Sequence, residues 1–176
     1  ILAENDITQT VFSYEFAKKL SDSAVSKKIS VKIHIKLDTG MSRLGFDCRD
    51  KCGKLSDKLL NTLHLPNLEF EGVFTHFCVA DSCATDCVDF TNKQYERFIH
   101  CVEQIEKAGF KPKYKHCCNS AGSSLSVDKH LDFVRPGIIL YGLTPDDSLT
   151  LPFRLVPVMT FKSVVSMVKT IKSGDT

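Results

Sequence analysis

Strand-like and helix-like segments alternate along this chain, and the connections between them are the size of βαβ units. That alternation restricts the fold more than any other feature. Residues 8–12 read as a short strand, with Ser13 as the N-cap of a helix whose apolar stripe is Phe16, Ala17, Leu20 and Ala24. In residues 29–37, Val31, Ile33, Ile35 and Leu37 alternate with Lys32, His34 and Lys36, a strand with one apolar and one charged face. Leu55, Leu59, Leu60 and Leu63 form a helix face that stops before Pro66. Residues 68–77 are a strand ending in Thr75-His76-Phe77. Tyr95, Phe98, Val102 and Ile105 then follow helical spacing up to a stop at Gly109. Residues 114–118 read as a short strand, 119–124 as its loop, and Phe133-Val134 as a further short strand. The pattern predicts an α/β fold, a parallel sheet with helices outside.

The pattern changes near Thr144. Pro145, Pro152 and Pro157 punctuate a polar connection, and residues 158–172 read as an extended, β-branched segment with no helix after it. The expected organisation is a (β/α) region over 1–143, a connection over 144–157 and the start of a second, β-rich domain over 158–176. There is no internal repeat.

Charge and composition exclude several functions. A net charge of +2 over 176 residues, with no basic block, gives no support to nucleic-acid binding. No apolar run approaches a membrane span, and Ile1-Leu2-Ala3-Glu4-Asn5-Asp6 is no signal peptide, so a cytoplasmic location is expected. The missing initiator Met suggests an excerpt of a longer chain. Eight cysteines are many for such a protein. Cys48/Cys52 and Cys83/Cys87 are four apart and Cys117-Cys118 adjacent, which is neither zinc spacing nor a small-domain disulfide framework. They read as free thiols, and no metal site is expected.

The unusual residues follow strands: Lys36, Asp38 and Arg43, then His76, then Asn119 and Ser120, then Arg135 and Gly137. In a parallel sheet those ends share one rim, where chemistry is placed. Gly40 and Gly45 flex the first loop, and Arg43 between them offers a fork matched to a carboxylate or phosphate. Each residue also has an ordinary reading. Lys36 can hold its amine in solvent, His76 can be a satisfied rim histidine, Asn119-Ser120 a helix-capping turn, Gly137 a turn, and Arg135 a surface ion pair. The sharper reading gives Ser120 and the backbone at Gly137 an anion to bind.

Asp38-Thr39-Gly40-Met41-Ser42-Arg43-Leu44-Gly45-Phe46, Thr75-His76-Phe77, Asn119-Ser120-Ala121 and Arg135-Pro136-Gly137-Ile138 with Leu140-Tyr141-Gly142 together resemble the ordered motifs of bacterial alanine racemases. The resemblance covers essentially the whole chain. It implies the later strands of a (β/α)8 TIM barrel, followed by the first strand of a C-terminal β-domain, in a homodimer that uses pyridoxal 5'-phosphate. The implied reaction interconverts L- and D-alanine for peptidoglycan precursors. A serine-preferring racemase domain, or a non-catalytic pyridoxal-phosphate-binding barrel, are the alternatives.

The resemblance also implies roles. Arg43 would bind the substrate carboxylate, with Met41 beside it, and Lys36 would match a lysine that is often carbamylated and holds that arginine. Ser120, Gly137 and Ile138 would bind the cofactor phosphate, with Asn119 supporting. Arg135 would face the pyridine nitrogen, with His76 against it. The family's two catalytic bases, a Schiff-base lysine and a tyrosine, are expected upstream of Ile1 and just beyond Gly174-Asp175-Thr176, so none is expected within the chain.

Overall fold

In a computed structural model, residues 1–49 and 55–174 are described; Cys52, Asp175 and Thr176 lie outside them. The elements are β1 (Gln9–Val11), α1 (Tyr14–Ser26), β2 (Val31–Asp38), β3 (Phe46–Asp47), α2 (Asp57–Leu63), β4 (Leu68–Phe74), α3 (Thr85–Lys107), β5 (Tyr114–His116) and α4 (Ser120–Leu125). The sheet runs β1-β2-β4-β5, with β3 paired to the end of β2, and every pairing is parallel. Parallel pairing needs a crossover between neighbours, and α1 and α3 supply two of these.

Side chains explain where the helices start. Ser13 Oγ accepts the Phe16 N–H (3.2 Å), and Ser56 Oγ accepts the Leu59 N–H (3.3 Å), so each hydroxyl satisfies one of a helix's unpaired first-turn donors. α3 buries Gln94, Phe98, Cys101, Val102 and Ile105 and ends before Gly109, whose φ of +95° suits a residue without a Cβ.

β2 separates two environments. Val31, Ile33, Ile35 and Leu37 are at most 3% exposed and enter the core with Val11, Ala17, Val73 and Phe98. The opposite face carries His34, Lys36 and Asp38, and there it meets Phe74 of β4 and His116 of β5 rather than bulk water. Lys36 is only 3% exposed. A pairing irregularity between Ile33 and His34 sets His34 opposite Gly72. A Cβ on Gly72 would come within 2.5 Å of the His34 ring, so this pair fits only because one member has no side chain.

Several expected boundaries shift. Thr75-His76-Phe77 and Cys117-Cys118 lie past the ends of β4 and β5, and residues 120–125 are a helix where a loop was expected. Phe133-Val134 form no strand. Asp132 N donates to Lys115 O (3.1 Å) and Arg135 N to Cys118 O (3.0 Å), so the segment runs beside β5 with two hydrogen bonds but no ladder. Residues 158–172 form no strand either. Phe161, Val164 and Val168 are more than 80% exposed, and alternation alone cannot make a strand without a neighbour to bond. Among the described residues no helix is long and apolar enough to cross a membrane.

Gly72→Ala is expected to destabilise the fold by about 1–3 kcal/mol through overpacking against His34. A urea unfolding midpoint equal to that of the parent sequence would show that the ring moves aside freely.

Candidate functional site

The loop after β2 is folded by its own acid. Asp38 Oδ1 accepts the N–H groups of Gly40 and Ser42, both at 3.0 Å. Gly40 and Gly45 have φ of +143° and +127°, and a Cβ on Gly45 would meet Asp38 N at 2.8 Å and Lys36 O at 2.9 Å. Both glycines are therefore required by the backbone path that presents Arg43. α3 clamps the same loop. Arg97 Nη1 donates to Thr39 O (2.9 Å), and the buried Gln94 donates to Thr39 Oγ1 (3.3 Å) and His76 O (3.2 Å) while accepting from Cys78 N (3.0 Å). One amide thus ties the loop after β2 to the loop after β4.

Arg135 is at the centre of the rim. Its Nη2 donates to Thr75 O (2.8 Å) and Cys117 O (3.2 Å) and lies 3.5 Å from His76 Nδ1. Its Nη1 donates to His116 Nδ1, and the guanidinium lies over the Phe74 ring, 5.2 Å from its centroid. Burial pulls the guanidinium below its usual value, from a range so alkaline that it stays cationic.

An arginine only donates, so His116 Nδ1 must accept, and the His116 proton sits on Nε2. That proton faces His34 Nδ1 at 3.0 Å, and His34 Nε2 in turn faces Glu71 Oε2 at 3.5 Å. Glu71 also receives the Thr8 hydroxyl at 2.7 Å. A polarised chain of side chains therefore runs from Arg135 across β5, β2 and β4. His116 is held flat between Phe74 (centroids 4.8 Å apart) and Phe133 (4.1 Å).

The electrostatics agree with this arrangement. Burial, then the nearby Arg135, pull His116 down to about 3. Burial, then Arg135, Lys36 and Arg43, pull His76 down to about 4. Both rings are neutral acceptors at neutral pH. Lys36 falls to about 8, chiefly through burial, with Arg135 and Arg43 adding to the fall and Asp38 opposing it. Its Nζ donates to Leu37 O (3.0 Å) and lies over Phe74.

A cavity of about 290 Å³ opens on this rim, lined by His76, Asn119, Ser120, Arg135, Gly137 and Ile138 together with Asp81, Ala121 and Pro145. Asn119 caps α4 through Gly122 N (3.0 Å), and Gly137 N donates to Ser120 Oγ (2.8 Å). A Cβ on Gly137 would lie 3.6 Å from Ser120 Oγ, an ordinary contact. All six residues expected to hold a cofactor thus converge. Met41 and Arg43 do not line the cavity; Arg43 is exposed on the loop, near enough to depress His76 and Lys36.

The model of the alanine racemase N-terminal domain matches residues 1–145. The chain belongs to this family. Against an alanine racemase of Desulfovibrio desulfuricans it is 40% identical over 174 residues, 98% of this chain and 45% of the relative. Among solved structures, an alanine racemase of Clostridium difficile in complex with cycloserine superposes with a TM-score of 0.77 at 34% identity, over 89% of this chain and 42% of that one. A histidine racemase of Leuconostoc mesenteroides superposes with a TM-score of 0.71 at 26% identity, over 89% of this chain and 40% of that one. The chain therefore spans under half the length of the relatives it matches. Its parallel sheet is part of the TIM barrel of alanine racemases.

The residues that sequence reasoning missed are His116, His34 as its partner, and Gln94. A histidine closing a short strand, three residues before Asn119-Ser120, was the available signal for His116.

The neutral histidines make a pH prediction. Unfolded, each takes up a proton near pH 6.5; folded, His76 waits until about 4 and His116 until about 3. The unfolded state therefore binds more protons across that window, and stability falls as pH drops from 6.5 towards 3. His116→Gln should flatten this slope in urea midpoints measured across that range, and an unchanged slope would remove His116 as a cause.

Proposed function

We propose that the protein to which this chain belongs is a pyridoxal-phosphate-dependent amino-acid racemase that interconverts L- and D-alanine, supplying D-alanine to cell-wall precursors. The observation that carries this reading is a cavity shared by Ser120, Gly137, Arg135 and His76 on a chain of this family. Its donors suit the cofactor. Ser120 Oγ, the backbone at Gly137 and Ile138, and Asn119 beneath them form a cup for a phosphate, and Arg135 supplies a permanent cation for the ring. Pyridoxal phosphate, when bound, withdraws electrons from the amino acid's Cα and makes its proton removable.

The chain's own residues then position and tune. Arg135 cannot give up its proton, so a ring nitrogen facing it is hydrogen-bonded rather than protonated, which restrains electron withdrawal and favours racemisation over side reactions. Its carbonyl and imidazole partners fix its plane. Arg43, with Met41 on the same loop, is assigned the substrate carboxylate. Lys36, whose amine is partly neutral near pH 8, is suited to taking up carbon dioxide. The resulting carbamate would exchange a buried cation for an anion able to hold Arg43. The two bases that move the proton at Cα are assigned to other parts of the protein. Residues 1–143 are assigned to the barrel, 144–157 to a connection and 158–176 to the start of a β-domain, in a cytoplasmic homodimer.

The test uses the full-length protein, with visible absorption reporting bound pyridoxal phosphate and chiral chromatography following L-alanine, L-serine and L-histidine. Fastest turnover of alanine is expected. Ser120→Ala should weaken cofactor binding roughly ten- to a hundredfold, the loss of a hydrogen bond to a charged group. A full-length protein that binds no pyridoxal phosphate would sink the proposal, and faster turnover of serine or histidine would reassign the substrate.

A further inference from the structure

We propose that Cys48 and Cys101 form a redox modification site, a thiol pair that closes into a disulfide and locks the arginine-bearing loop onto α3. The two Sγ atoms are 2.8 Å apart although the residues are 53 apart in sequence. A disulfide needs about 2.05 Å, so closure asks for a movement of under about 1 Å. Cys101 is on the buried face of α3, 6% exposed, while Cys48 is only half-buried and is the entry point for a reagent.

The position gives the bond its consequence. Cys48 follows β3, and its N–H donates to Asp38 O (2.9 Å), the residue whose carboxylate folds the loop that carries Arg43. α3 already holds that loop's first residue through Arg97 and Gln94. A covalent link from Cys48 to Cys101 would fix the loop's far end to the same helix. Cys117 and Cys118 are less suited to such a role. Both are fully buried, and both direct their thiols at Lys129 O, at 3.2 and 3.3 Å.

The oxidant class is a low-molecular-weight disulfide. The Cys48 thiolate attacks one of its sulfurs, an S–S bond breaks, and one thiolate leaves. The Cys101 thiolate then attacks Cys48 Sγ and expels the second. Two protein thiols lose two electrons and two protons, and one external disulfide becomes two thiols. The hydrogen bond to Cys101, then burial, push the Cys48 thiol well above its usual range, so the first attack is slow at neutral pH and quicker in mild alkali.

The experiment treats the full-length protein with oxidised glutathione at mildly alkaline pH, blocks remaining thiols with N-ethylmaleimide and maps peptides without reductant. The expected result is a Cys48–Cys101 cross-linked peptide about 2 Da lighter than the two thiol peptides together, reversed by dithiothreitol. Maleimide labelling at both positions should fall more than about tenfold. Amide hydrogen exchange at residues 40–46 should slow on oxidation in the parent sequence and not in Cys101→Ser, a readout that separates a staple from a passive contact. A lasting glutathione adduct on Cys48, a link from Cys48 to Cys52, or full labelling of Cys101 after treatment would each overturn the proposal.

Discussion

The rim of this sheet depends on one half-buried cation, Arg135. Arg135 comes from the segment beside β5, yet its donors are taken by the carbonyls of Thr75 and Cys117, just beyond the ends of β4 and β5, and by the His116 imidazole. A guanidinium withdrawn from water without such acceptors would be costly, and with them it ties its own segment, which forms no ladder, to the paired strands β4 and β5. The arrangement also requires its histidines to remain neutral, because a protonated ring would turn an acceptor into a second cation. Burial, then Arg135's own charge, keep His76 and His116 neutral, so the cation and its acceptors are mutually consistent.

The same logic divides β2. One face is held by apolar packing against α1 and α3, while the other is held by matched donors and acceptors among stacked aromatic rings. The first face tolerates exchange of similar volumes; the second tolerates little, since each member's protonation state is set by the next. The loops of this rim therefore rest on a rigid base.

Strand β2 and helix α3 were legible in the sequence because their periods are long and unbroken, and the clustering of Lys36, His76, Ser120, Arg135 and Gly137 followed from parallel topology. The failures have physical causes. Residues 158–172 have strand-like alternation, but a ladder depends on a neighbour that a linear pattern does not contain. Phe133-Val134 take a strand's place beside β5 while Phe133 spends its ring on His116. His116 is not legible in the sequence because Tyr114–His116 is too short to show which side it faces. Gln94 is not legible because a glutamine on a helix usually reads as solvated.

Gln94 has a wider meaning. It is fully buried, accepts from Cys78 N through its oxygen and gives its NH2 group to Thr39 Oγ1 and His76 O. A carboxylate of the same shape has no donor to offer those two oxygens, and an apolar residue leaves Cys78 N and His76 O unanswered and Thr39 Oγ1 with Thr75 Oγ1 alone. Sorted by distance from the cavity, a change at this position would be filed under folding. Its effect would instead appear in the spacing between the loop after β2 and the loop after β4, which carries His76 on the cavity wall. The outer helical layer of this barrel segment thus holds part of the specification of its inner rim.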